Sequence, residues 1–209
     1  MLMNIADKIV ILHQAELQGH IWEKILHSQG LQSAILPFSV DLRGELMDLA
    51  AAQQSLPNLI LLEQQLPSFD TAKFCQWMQG FEQPIPVILI SAQTRKVTPA
   101  DREVAITNGA ADLLPQFDLN SIAIEAVSGL KTVAKVLGNI NIVNNTLVTC
   151  IMELKRELEA GQDFPVAPPV VPTVTPPSTT ELKPPTPAVA PPPPEAPTPK
   201  TRKYRGRDY

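Results

Sequence analysis

Three runs of consecutive apolar residues, each four or five long, constrain this chain more than any other feature: KIVIL from Lys8 to Leu12, NLILL from Asn58 to Leu62, and PVILI from Pro86 to Ile90. An unbroken apolar run of that length is what a strand buried on both faces requires, whereas a strand with one wet face would alternate. Between the runs the spacing changes to three and four. Glu16 to Ser28 places Leu17, Ile21, Ile25 and Trp22 on one side of a helix, and Leu42 to Gln54 does the same with Leu46, Leu49 and Ala50. Thr71 to Phe81 offers Phe74, Cys75, Met78 and Phe81. Thr98-Pro99 with Asp101 supplies a cap, a first-turn proline and a first-turn acid for a fourth helix, which Asn108-Gly109 ends. Weaker runs at Ser33 to Leu36 and Ala111 to Leu114 complete five strands interleaved with helices. The expectation is an α/β fold, a doubly wound five-stranded parallel sheet.

From Asn120 to Gly161 no residue type demands a stop, so the pattern predicts one long helix. Its apolar residues keep a 3.5-residue period. Leu130, Leu137, Ile151 and Leu158 alternate with Val133, Ile140, Leu147 and Leu154, and Asn144 stands at an a position. That pattern predicts a coiled coil over residues 129–161 and a homodimer, with Asn144 fixing the alignment. The alternative is a hairpin that turns near Gly138-Asn139 and packs its stripe on its own domain, which Val136 and Val143 support by widening the stripe.

Composition divides the remainder. Of 22 prolines, 15 fall between Pro165 and Pro199, so residues 162–199 read as a disordered Pro-rich spacer in extended polyproline conformation. Residues up to Phe164 carry a net charge of −7, and Lys200 to Tyr209 carry +4. Those last ten residues hold both tyrosines of the chain. Lys200, Arg202, Lys203, Tyr204, Arg205, Gly206, Arg207 and Tyr209 therefore read as a partner-binding tail, for an acidic protein surface or, as the alternative, for nucleic acid. The Tyr204-Arg-Gly segment resembles short YRG-containing motifs of small cyanobacterial proteins. Cys75 and Cys150 have neither CxxC nor Cys/His spacing, so no disulfide framework and no zinc site are expected. With no basic leader and no apolar run of about 18 residues, the expectation is a cytoplasmic protein without a membrane span.

KIVIL followed by His13-Gln14, PNLILLEQQLP from Pro57, IPVILISA from Ile85 and NGAADLLPQF from Asn108 together resemble a response-regulator receiver domain, covering residues 1–128. The resemblance implies a flavodoxin-like sheet and a phosphoryl-acceptor pocket. In such a pocket two acids and an aspartate hold Mg²⁺, and a hydroxyl and a lysine grip the phosphoryl group. Here the acid pair is His13 and Gln14, the acceptor is Glu63, the hydroxyl survives as Ser91, and Gln116 takes the place of the lysine. Leu113 stands where the switch aromatic belongs. These replacements imply a pseudo-receiver with no catalysis, metal or cofactor, working as a dimeric adaptor for partner proteins. Two further readings remain open, a phospho-accepting regulator without an output domain and a nucleic-acid-binding regulator. Glu63 is expected to be solvated in a polar cleft, and no second acid, Cys or His is expected within reach of His13.

Overall fold

A computed structural model describes residues 5–92, 96–138 and 140–160. The Pro-rich segment from 162 to 199 and the tail from Lys200 to Tyr209 lie outside the described residues.

Five strands, β1 (Ile9–Leu12), β2 (Ser33–Leu36), β3 (Leu59–Glu63), β4 (Val87–Ile90) and β5 (Asp112–Leu114), form one sheet in the order β2-β1-β3-β4-β5. Every neighbouring pair is parallel. Along the chain these strands alternate with α1 (Glu16–Ser28), α2 (Leu42–Ala51), α3 (Thr71–Gln79), α4 (Pro99–Thr107) and α5 (Ile122–Val136), and α6 (Asn144–Glu159) follows. Side chains alternate across each strand, so the continuous apolar runs feed two cores. Ile9, Ile11, Leu59, Leu61, Ile88, Ile90 and Leu114 pack with α1, α5 and α6. Val10, Leu12, Ile60, Leu62, Val87, Leu89 and Leu113 pack with α2, α3 and α4. The helix starts follow local chemistry. Asp41 and Asp70 each accept a hydrogen bond from a first-turn N–H, and Thr98 and Asp101 close a capping box before α4.

Several boundaries differ from the sequence expectation. Leu17 is exposed at 40%, and α1 instead buries Gly19, Ile21, Trp22, Ile25 and Leu26. Helix α2 ends at Ala51 because Gln53 takes a left-handed φ of 54°. Helix α3 ends at Gln79, and Phe81 lies beyond it.

The largest correction concerns the expected 40-residue helix. The chain makes two helices instead. Gly138, at φ 90°, adopts the left-handed conformation that terminates α5 at the cost glycine alone escapes. Helix α6 then folds back onto α1 and α5. Of the residues assigned to a dimer seam, Leu130, Val133, Leu147, Ile151 and Leu154 are buried in the core of one chain. Leu137, Ile140 and Leu158 are half-buried, and Asn144 is exposed. A 3.5-residue stripe fits a groove on its own domain as well as it fits a second helix, and here the groove takes it.

Polar contacts fix α6 at both ends. Gln29, just past α1, accepts from the Val143 N–H at 2.8 Å and donates to Thr146 Oγ1 at 3.2 Å. Lys24 donates to both carboxylate oxygens of Glu157, at 2.7 and 2.5 Å. Cys75 and Cys150 are free and buried, and burial pushes the Cys75 thiol up to about 11. Among the described residues no helix is long and apolar enough to cross a membrane.

Candidate functional site

In a sheet of order 2-1-3-4-5 the connections leave in opposite directions at β1 and β3, which opens a crevice beyond the carboxyl ends of those two strands. Parallel register fixes what stands there. Leu12 pairs with Leu62, Glu63 with Ile90, and Ile90 with Leu114. His13 therefore leaves β1 beside Glu63, the last residue of β3. Ser91 leaves β4 and gives its N–H to Leu114 O at 2.8 Å. Pro115 and Gln116 leave β5, both half-buried. The structure thus places His13, Gln14, Glu63, Ser91 and Gln116 along the same carboxyl edge of the sheet.

Burial at this edge overturns one expectation. Glu63 is 5% exposed rather than solvated, and His13 is 4% exposed. The Glu63 carboxylate accepts the Gln14 backbone N–H at 2.7 Å through Oε2. That oxygen also lies 3.4 Å from His13 Nδ1, so an acid stands directly beside the histidine. His13 Nδ1 in turn accepts the Ala15 N–H at 3.0 Å. An imidazole nitrogen that accepts a hydrogen bond carries no proton, so the ring is neutral with its proton on Nε2. Nε2 is buried without a hydrogen-bond partner among the described residues. Burial holds the His13 pKa below its ordinary value of 6.5, while the Glu63 charge pulls the other way.

Three contributors had no signal in the residue types. The side chain of Gln14 is exposed, and the residue acts through its backbone N–H, which any amino acid but proline supplies. Gln18 on α1 clamps the loop after β5, accepting from the Phe117 N–H and donating to Phe117 O, both at 2.9 Å. Thr71 ties the other side, donating to Gln64 O at 2.7 Å.

Magnesium prefers near-octahedral oxygen ligands, carboxylates and water above all. This crevice offers one carboxylate, with Oε2 already bonded to a backbone N–H, and an imidazole whose Nδ1 lone pair is engaged. Among the described residues no cluster of three or more His, Cys, Asp or Glu could hold a metal ion. The residues present do not fit Mg²⁺.

No family model matches the chain, and no curated protein does. Solved structures do. A response regulator receiver protein from Burkholderia phymatum is 23% identical, covering 65% of this chain and 99% of that one, with a TM-score of 0.47. The signal receiver domain of a signal transduction histidine kinase from Syntrophus aciditrophicus is 22% identical over 66% and 95% of the two chains, with a TM-score of 0.47. The receiver domain of the response regulator NarL from Mycobacterium tuberculosis is 22% identical over 62% and 97%, with a TM-score of 0.44. What decides the architecture is the strand order β2-β1-β3-β4-β5, all parallel, with helices on both faces. This is the flavodoxin-like fold that receiver domains share. Helix α6 is packed on it as a further helix after α5.

The neutral, buried His13 of this receiver fold has a consequence for stability. Because its folded pKa is lowered, the unfolded chain binds more protons below pH 6.5, and stability falls as pH drops from 6.5 through the folded pKa. His13→Gln should flatten that part of the pH-stability profile, as read by urea unfolding. Proton NMR of the ring should give a midpoint below 6.5, and Glu63→Gln should lower it further by removing the anion that favours the imidazolium.

Proposed function

We propose that this chain is a phosphorylation-independent receiver-type module of a signalling system, which works by binding partner proteins rather than by accepting a phosphoryl group. The observation that carries this reading is the occupation of the crevice. Glu63 is buried with one carboxylate oxygen, Oε2, on the Gln14 N–H and 3.4 Å from His13 Nδ1, so the carboxylate is desolvated and one of its two oxygens is engaged. Phosphoryl transfer to a carboxylate depends on in-line positioning and on cations that neutralise the developing charge. Here the acid pair is an imidazole and an exposed amide, and the lysine position is Gln116. Hence the fold supplies surfaces and no reaction. The basic, tyrosine-bearing tail from Lys200 to Tyr209 is the proposed partner-binding motif, on the strength of its composition.

Incubation with acetyl phosphate and Mg²⁺, followed by intact-mass measurement, should leave the full chain unmodified. A mass increase of one phosphoryl group that maps to Glu63 would make the chain a phospho-accepting regulator. Truncation after Pro199 should remove at least one protein from the set that the full chain captures from its native extract. An unchanged set would place the docking surface on the receiver fold itself.

A further inference from the structure

Two helices joined by a turn have no reason to share one register, because the turn discards the phase of the first. Helices α5 and α6 share it nevertheless. Leu130, Leu137, Asn144, Ile151 and Leu158 follow one another at seven-residue steps, and so do Val133, Ile140, Leu147 and Leu154, straight across the turn between Val136 and Asn144.

The start of α6 adds an independent observation. Its cap residue is Val143, among the poorest side chains for that position, and it makes no side-chain cap hydrogen bond. The first turn is held instead from outside, by Gln29 on the Val143 N–H. A helix that always began here would profit from a Ser, Thr or Asp. One that is sometimes the middle of a longer helix has no use for one. At the other side of the turn a single residue, Gly138 at φ 90°, closes α5.

We infer that α6 is an exchangeable element. When Gly138 and the non-helical residues 140–143 turn helical, α5 and α6 become one helix, and each of two copies of the chain seats its α6 on the α1 and α5 of the other. The occupant of the groove is then a second copy of this same segment. Leu147, Cys150, Ile151 and Leu154 bury the same apolar surface, Gln29 binds the same helix turn, and Lys24 meets a Glu157 from the partner. Only the turn differs between the closed and the exchanged form, so its backbone preference decides the balance. This inference does not depend on the phosphorylation-independent reading of the crevice.

Gly138→Ala acts on both sides of that balance. Alanine is strained in the left-handed conformation of the closed turn and favoured over glycine inside a helix, which together shift the equilibrium by at least about thirtyfold per turn and about a thousandfold per dimer. Chains with ordinary nitrogen and chains with heavy nitrogen are mixed, unfolded, refolded together and separated by size with light scattering. Each fraction is then coupled with a carbodiimide, which joins Lys24 to Glu157 through their existing ion pair.

The Gly138→Ala dimer should be at least about a thousandfold tighter than that of the wild type, and its Lys24–Glu157 cross-link should carry mixed labels. The monomer should carry like labels only. Gly138→Asn, which tolerates the left-handed turn, should keep the wild-type distribution. A Gly138→Ala chain that forms the same-chain cross-link and stays monomeric overturns the inference, and so does a dimer with like-label cross-links alone. Should the alanine variant fail to refold, the wild type refolded at high concentration decides: mixed-label dimer supports exchange, and no such dimer up to the solubility limit refutes it.

Discussion

Trp22→Ala is expected to lower the unfolding free energy by about 3–5 kcal/mol, since it leaves the largest fully buried side chain of the domain unreplaced. Trp22 is 1% exposed at the junction of α1, α5 and the loop after β5. Its ring meets Phe117 at 4.9 Å between centroids, and it lies so close to α5 that only glycine fits opposite. A Cβ at Gly129 would stand 2.6 Å from Trp22 Cη2. Glycine inside a helix costs about 1 kcal/mol relative to alanine, so its presence in the interior of α5 is explained by the tryptophan. Gly129→Ala therefore gains about 1 kcal/mol of helix propensity. It loses about 1–3 kcal/mol to overpacking. The net effect is destabilising. Combined with Trp22→Phe, which vacates the contested space, Gly129→Ala should cost less than the sum of the two single changes, as urea midpoints at constant slope would show.

Leu154→Asp is expected to detach α6 while leaving the five-stranded sheet folded. Leu154 is fully buried in the cluster formed by α1, α5, α6 and the sheet, and a carboxylate there would have no charge partner. Leu154→Ala should already cost about 2–5 kcal/mol of the docking free energy of α6, and the aspartate more. Amide exchange of residues 144–159 should rise towards that of an isolated helix, and the far-ultraviolet signal of the sheet domain should persist. Loss of all protection, in the sheet as well, would mean that α6 is not a separable layer but part of one cooperative core. By contrast Lys24→Ala should change stability by no more than about 1 kcal/mol, because the Lys24–Glu157 pair is partly open to water.

The sheet was readable because buried parallel strands leave an unmistakable mark: Ile9 to Leu12, Leu59 to Leu62 and Val87 to Ile90 are apolar at every position, and the structure covers both faces of each. Leu17 departs from the expectation, exposed at 40% while Trp22 is buried. Both lie close to the same helical stripe, and only the close approach of Gly129 shows which of them faces inward. The turn at Gly138 was harder. One glycine is weak evidence against nine residues in a perfect heptad, and the same stripe serves a groove or a partner equally. In the crevice, residue types identified Glu63 and His13 as replacements but not their mutual contact. That contact follows from the register of β1 on β3 and from a backbone N–H at Gln14, neither of which depends on a side chain that could be recognised.

In the proposed reading, Glu63 and His13 fill the crevice between β1 and β3, and it takes up no phosphoryl group. Titration of the full chain with beryllofluoride and Mg²⁺, followed by fluorine NMR and by the amide resonances of Gln14, Ala15 and Glu63, tests it most directly. Free beryllofluoride only and unmoved amides are expected at every concentration, whereas a stoichiometric bound fluorine signal with displacement of the Gln14 and Glu63 amides would show a working acceptor pocket and refute the phosphorylation-independent reading.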